Sequence, residues 1–353
     1  MKHLAKLKPV FSHQRRYALV VSIVLFALLG ALIIALTKAS TSVVSIEPES
    51  HTKSGTLTIE ENTSASKNSA VHFGPNQPRG NSSPGGTYAD WFYPGTGLDS
   101  IEWTEVPVQD PAISLTNAGL LHYYAYTFSV TNATSAVGFG YAGFQTNGYI
   151  NGQQRGRVIN FSFWGSNGGK TSGPGIINSN NQESGGYQIM YPFNWTVGHR
   201  YAFQLKPGPS GTDSLGKWWG LTVKDLDTNA TTFIAEERVQ TSIGGLSSTQ
   251  LKTQTGMFGE DLHWWRSLSG NTKYRCSDFQ NSSMATINVT ANNGTLLPNN
   301  FSSFTNSLQE SVDPDNGYRT INCAVSNYTN ANKNIQMNLG YWSPSAPNAL
   351  NNL

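Results

Sequence analysis

The strongest constraint on this 353-residue chain is an alternation of apolar and polar residues with a period of two. In HYYAYTFSV (122–130), Tyr124, Tyr126, Phe128 and Val130 fall on one face of an extended strand. In RVINFSFW (157–164), Ile159, Phe161 and Phe163 face one way, and Val158, Ser162 and Trp164 the other. RYAFQL, WWGLTV, TTFIAEERV, TGMFGED, TKYRCSDF, MATINVT, YRTINCAV and NIQMNLGYW continue the pattern, with Gly, Asn and Asp between them. Such patterning predicts roughly ten to thirteen short antiparallel strands and an all-β, two-layer β-sandwich of jelly-roll type. KDLDTNATTF reads as a hairpin turn around Asp225, Asp227 and Asn229. GGLSSTQLK (244–252) is expected to form at most one turn of helix.

One segment breaks the pattern. Residues 17–36, YALVVSIVLFALLGALIIAL, carry no charge. As a helix they would span about 30 Å, the thickness of a bilayer's hydrocarbon core, whereas a cleaved signal peptide has an apolar run of about 7 to 15 residues. The expectation is a retained single-pass transmembrane helix. Cleavage near Ala39, giving a secreted protein, is the alternative. Lys2, Lys6, Lys8, Arg15 and Arg16 precede the run, which puts the N-terminus in the cytoplasm and the C-terminal domain outside the cell membrane.

Charge then excludes one class of partner. Without those five residues the chain has 18 Lys and Arg against 21 Asp and Glu, so the remainder is mildly acidic and carries no nucleic-acid footprint. Only 12% of all residues are charged, against about 25% in typical globular proteins, and aromatics reach 11%.

The expected organisation is a basic cytoplasmic tail (1–16), the transmembrane helix (17–36), a Ser/Thr/Asn-rich stalk (37–84), the β-sandwich (85–345) and a disordered C-terminus (346–353). A short strand at 56–59 (TLTI) is conceivable within the stalk. Cys276 and Cys323 enclose 46 residues. In an oxidising compartment a disulfide between them would stabilise the fold by about 3 to 4 kcal/mol. No Cys or His spacing of a zinc site is present.

Four segments stand in order across roughly residues 120–265: Gly140, Tyr141, Gly143 and Gln145; Phe161, Ser162 and Trp164; Trp195, Gly198 and Tyr201; and Phe258, Glu260 and Asp261. Together they resemble a family of uncharacterised bacterial extracellular domains. The resemblance implies a concanavalin-like β-sandwich found near carbohydrate-handling modules. It brings no catalytic residues.

The stretch GEDLHWW (259–265) is the obvious place to look for chemistry. Glu260 and Asp261 would be the catalytic pair of a carbohydrate-active hydrolase or lyase. Adjacent strand residues point to opposite faces, however, so a partner such as Glu236, Glu237 or Asp278 would be needed. The bland reading gives these acids to strand-end hydrogen bonds or an arginine. Two Trp pairs, Trp218 with Trp219 and Trp264 with Trp265, each put one ring in the core and one outward. The outward rings, with His263 and Glu260, form a candidate glycan platform. Calcium would look to Asp225 and Asp227, or to Asp313 and Asp315, though the later Gly and Glu of an oxygen-ligand loop are missing and the second group reads first as a tight turn. Motifs of metalloproteases, α/β-hydrolases, P-loops and dinucleotide-binding folds are absent.

The sequence thus favours non-catalytic recognition of a glycan or cell-surface partner. The alternatives are an enzyme centred on Glu260 and a structural envelope protein.

Overall fold

The computed structural model describes residues 57–61, 69–73 and 86–353, apart from 111–119, 182, 264–280, 306–310, 313–318, 321–324 and 340–347. The expected span at 17–36, both cysteines, Asp313, Asp315, Asp278, Trp264 and Trp265 lie outside the described residues. No helix among the described residues is long and apolar enough to cross a membrane.

Two units are distinguished, 1–76 and 77–353. In the first, strands β1 (Leu57–Glu61) and β2 (Ser69–Phe73) pair antiparallel, within the segment expected to be a stalk.

The second unit contains two eight-stranded antiparallel sheets. Across the first sheet run β18 (Asn300–Thr305), β3 (Gly86–Phe92), β16 (Gln254–His263), β5 (Leu120–Ser129), β6 (Phe139–Ile150), β7 (Gln153–Phe163), β10 (Gln188–Pro192) and β9 (Ile176–Asn178). Across the second run β21 (Ser326–Thr329), β22 (Ile335–Leu339), β17 (Ser282–Ala291), β4 (Ile101–Gln109), β11 (Tyr201–Asp213), β12 (Gly216–Asp225), β13 (Thr231–Val239) and β8 (Gly169–Thr171). Small hairpins join β14 (Ser242–Ile243) to β15 (Leu246–Ser247) and β19 (Ser311–Val312) to β20 (Arg319–Thr320).

The alternation read from the sequence builds the core directly. Tyr124, Tyr126, Phe128 and Val130 from β5 and its end, and Ile159, Phe161 and Phe163 from β7, are all fully buried between the sheets. Trp103 of the second sheet stacks on Tyr126 of the first at 4.4 Å and on Phe203 at 5.0 Å. Apolar burial of this kind contributes about 25 cal/mol per Å², so these large rings dominate the packing.

Turn chemistry fixes the register. Asn151 and Gly152 between β6 and β7 have φ of 53° and 78°, the left-handed pair that a two-residue hairpin requires. Gly244 and Gly245 do the same between β14 and β15, with φ of 60° and 83°. The helical turn expected at 244–252 is therefore a hairpin instead: two consecutive glycines favour the left-handed turn over a helical one. The Asp225 turn is as expected, with Asp225 N–H donating to Ala230 O and the Asp225 carboxylate accepting from Asp227 and Thr228 N–H.

At the C-terminus, Leu350 packs against Val106, Ala285 and Ile287 on the outer face of the second sheet. The chain end, expected to be disordered, is thus covered apolar structure at this position.

Candidate functional site

Parity along the strands decides which side chains leave the core. In β16, Met257 belongs to the core, so Phe258 and Glu260 point outward from the first sheet. In β6, Ala142 and Phe144 are core residues, so Tyr141, Gly143 and Gln145 point outward. Asn160 and Ser162 of β7, Tyr123 and Ala125 of β5, and Tyr88 and Asp90 of β3 share that side.

Register places these residues in rows across the sheet. One row reads Glu260, Tyr123, Gln145. The next reads Phe304, Tyr88, Phe258, Ala125, Gly143, Asn160. A third contains Asp90, Gly256, Thr127, Tyr141 and Ser162.

Aromatic rings follow these rows from one edge strand inward. Phe304, 52% exposed, stacks on Tyr88 at 4.9 Å and 17°. Phe258 meets Tyr123 edge-on at 5.1 Å and Tyr141 at 6.1 Å. Tyr141 then meets Trp164 at 5.1 Å, and Trp164 meets Phe139 at 5.0 Å. The Tyr88 hydroxyl donates to Glu260 Oε1 at 2.8 Å. Asn160 Nδ2 donates to the Tyr123 hydroxyl at 2.7 Å. Burial pushes the Tyr123 and Tyr141 phenols well above their ordinary pKa, so both stay neutral.

Gly143 is structurally required here. A Cβ at this position would stand 1.9 Å from Tyr124 O. Opposite Ala125, it leaves a stretch of sheet without side-chain bulk, bordered by Tyr123, Tyr141, Gln145, Asn160 and Phe258.

The other residues singled out from sequence fall elsewhere. Asp261 and His263 lie in β16, Asp261 at the position adjoining Glu260 and so in the opposite strand phase. Trp218 and Trp219 do divide between two faces, but on β12 of the second sheet. Trp219 is fully buried in the core, and Trp218 is 5% exposed. The Lys170 ammonium lies 4.2 Å from the Trp218 ring centroid and the Arg238 guanidinium 5.1 Å, so cation–π partners take the place expected of a sugar. The Trp218/Trp219 half of the expected platform therefore does not share a surface with Glu260.

Glu236 and Glu237, weighed as partners for Glu260, also belong to the second sheet. Ser210 N–H donates to Glu236 at 3.0 Å, and Phe163 N–H donates to Glu237 Oε2 at 2.8 Å. Burial holds the Glu237 carboxyl well above its ordinary pKa.

Of the calcium candidates, Asp225 and Asp227 join His199, with one ligand atom from each lying within 4.8 Å of the others. His199 Nδ1 is 3.0 Å from Asp225 Oδ2. Arg200 pairs with Asp227 Oδ1 at 2.9 Å, and its backbone N–H donates to Asp227 Oδ2 at 2.7 Å. Together with the turn N–H groups on Asp225, these bonds occupy much of the oxygen capacity a cation would need.

No family model matches the chain, and no curated protein matches it. Among solved structures it is similar to an alginate lyase from a Chlorella virus, at 9% identity and a TM-score of 0.22, over 53% of this chain and 90% of that one. It is also similar to a marine alginate lyase from Aplysia kurodai, at 5% identity and a TM-score of 0.24, over 59% and 80%. Likenesses of that extent fix neither substrate nor chemistry.

Proposed function

We propose that this chain is a non-catalytic glycan-recognition module, held at the outer surface of a cell membrane by residues 17–36. One observation carries the reading. Tyr141, Gln145, Ser162, Trp164, Phe258 and Glu260 belong to three separated segments, and all of them point outward from the first sheet. There they form a run of aromatic rings interleaved with amide and carboxylate groups. Sugars offer C–H faces that stack on rings and hydroxyls that bond to such polar neighbours.

Hydrolysis is the weaker alternative. Glycosidases hold two carboxyls about 5 to 9.5 Å apart. Among the described strand residues pointing outward from this sheet, the other carboxylate is Asp90. It is four residues along from the row of Glu260, or roughly 14 Å at strand spacing.

The test is a glycan array probed with the full chain in detergent, beside Tyr88→Ala. Glycan binding weakened by Tyr88→Ala is the expected result. Failure to bind any glycan would remove the reading. Turnover of a bound glycan would replace it with the enzymatic one.

A further inference from the structure

The edge of a sheet presents a row of main-chain N–H and C=O groups that another strand can take up. Proteins normally blunt such edges with short strands, charged side chains, proline or bulges. The two large sheets have four edges among the described residues, and three are kept short: β8 and β9 have three residues each, and β21 has four. The fourth, β18, shows none of these devices. Its six residues, Asn300 to Thr305, include no charge and no proline, and they pair with β3 without a bulge. No described strand pairs with its other side. Asn300, Ser302, Phe304 and Thr305 are exposed, so the strand lies open to solvent.

Hydrogen bonds along β18 show which of its groups face the open side. Phe304 O accepts from the Thr87 hydroxyl of β3 at 3.4 Å, so the main chain of Phe304 is turned toward β3. Successive residues of an antiparallel strand turn their main-chain groups to alternate sides. The N–H and C=O of Phe301, Ser303 and Thr305 therefore face the open side. Phe301 agrees with this assignment, because its N–H donates to the Asn300 side chain at 2.8 Å. Side chains alternate too, between the two faces. Phe301 packs inward beside Trp91 at 5.4 Å, and Phe304 stacks outward on Tyr88. Odd-numbered side chains of β18 thus face the core, and even-numbered ones face outward.

We propose that β18 is an interface with a second copy of this chain, the two strands pairing antiparallel about a two-fold axis that passes beside Ser303 and stands perpendicular to the sheet. The edge carries no charge with which to select a different partner, whereas an identical edge matches it in length and hydrogen-bonding pattern. Opposed residues of an antiparallel pair share a face, so a two-fold register sets odd numbers beside odd and even beside even. Centred on Ser303, it opposes Ser303 to the partner's Ser303 and Phe301 to the partner's Thr305. These are the residues whose main-chain groups face the open side. Ser303 N–H then donates to the C=O of the partner's Ser303, and Thr305 N–H to the C=O of the partner's Phe301, which leaves the Asn300 bond undisturbed. A perpendicular axis keeps both outward faces on one side, so the aromatic runs that end at Phe304 meet across it. The interface stands whatever those runs bind.

The experiment is sedimentation equilibrium on the full chain in density-matched detergent, with the variants Ser303→Pro, Ser302→Lys and Ser302→Thr. Proline is tolerated in an edge strand where the missing N–H faces away from the sheet, so Ser303→Pro keeps the pairing with β3 and removes the donor at the axis. Ser302→Lys adds a charge on the exposed face of the edge and repels its own symmetry mate, while Ser302→Thr keeps that position neutral. The expected result is a reversible dimer for the wild type and Ser302→Thr, with a dissociation constant raised at least about 10-fold by Ser303→Pro and by Ser302→Lys. A wild-type chain that stays monomeric at every concentration reached would overturn the interface. So would a dimer that neither variant weakens, as association through residues 17–36 would give. Growth beyond the dimer would also overturn it, because pairing about a two-fold axis closes. Should Ser303→Pro fail to fold, Ser302→Lys decides alone.

Discussion

The indole N–H of Trp103 donates to Glu105 Oε1 at 2.8 Å inside the sandwich, and the second carboxyl oxygen of Glu105 has no partner. Burial raises this carboxyl from an ordinary value of 4.5 to about 8, and the Trp103 bond offsets only part of the rise. A carboxyl whose folded pKa lies above its unfolded one binds more protons when folded, so stability falls as pH rises between the two values. The loss begins near 4.5 and is complete above about 8. At one pKa unit per 1.36 kcal/mol it amounts to roughly 4 to 5 kcal/mol. Glu105→Gln should remove this dependence. Urea denaturation should give similar stabilities for the two proteins near pH 4 and a more stable variant at pH 9. Parallel curves at both pH values would show that Glu105 does not titrate in this range.

Gly143→Ala should be severe. The added methyl would stand 1.9 Å from Tyr124 O and 2.7 Å from Ala125 Cα, both backbone atoms. Neither can move without disturbing the pairing of β5 with β6, so a cost of about 3 kcal/mol or more is expected. Gly152 offers the contrast within the same hairpin. It has open space around its Cα but a φ of 78°, so Gly152→Asn should be tolerated and Gly152→Val should not. Thermal unfolding of the three variants checks the ranking.

Much of this fold was readable from the chain itself, because period-two alternation depends on the strand alone. The faces assigned to β5 and β7 are those found, and the two Trp of the WWGLTV strand divide between opposite faces as the rule demands, although both are buried. The rule fails to say which sheet a strand joins. Sheet membership comes from long-range pairing, so nothing local in the sequence separates Trp218 from the face that carries Glu260. The site itself was half legible. Glu260 was singled out, but Tyr123, Asn160 and Tyr88 were not, since each looks like an ordinary strand residue until register aligns it. The segment of residues 140–145, with Tyr141, Gly143 and Gln145, was the available signal: its two outward polar side chains and its obligatory glycine belong to one patch.

Phe304→Ala tests the exposed end of the aromatic run. Phe304 is 52% exposed and its stack on Tyr88 lies at the sheet edge, so stability should change by only about 0.5 kcal/mol. Loss of an aromatic contact is worth about 0.5 to 1.5 kcal/mol, which predicts roughly a 2- to 12-fold weaker affinity for the bound glycan. Unaltered affinity with unaltered stability would confine the platform to the inner rings.

The two Trp of β12 give the complementary control. Trp219 is fully buried, and Lys217 places its ammonium 4.2 Å from the ring. Trp219→Ala removes a large core side chain and should cost about 3 to 5 kcal/mol. Trp218 faces the other way, under Lys170 and Arg238, and its indole N–H donates to Asp213 at 3.3 Å. Trp218→Ala should destabilise less, since the two cations can keep their own partners: Asp213 for Arg238, and Glu236 with Ser210 for Lys170. Because this ring lies on the second sheet, glycan affinity measured on folded Trp218→Ala protein should equal that of the wild type. A drop of tenfold or more would move the binding surface to the second sheet, and Lys170 and Arg238 would then become candidates for contact with an anionic ligand.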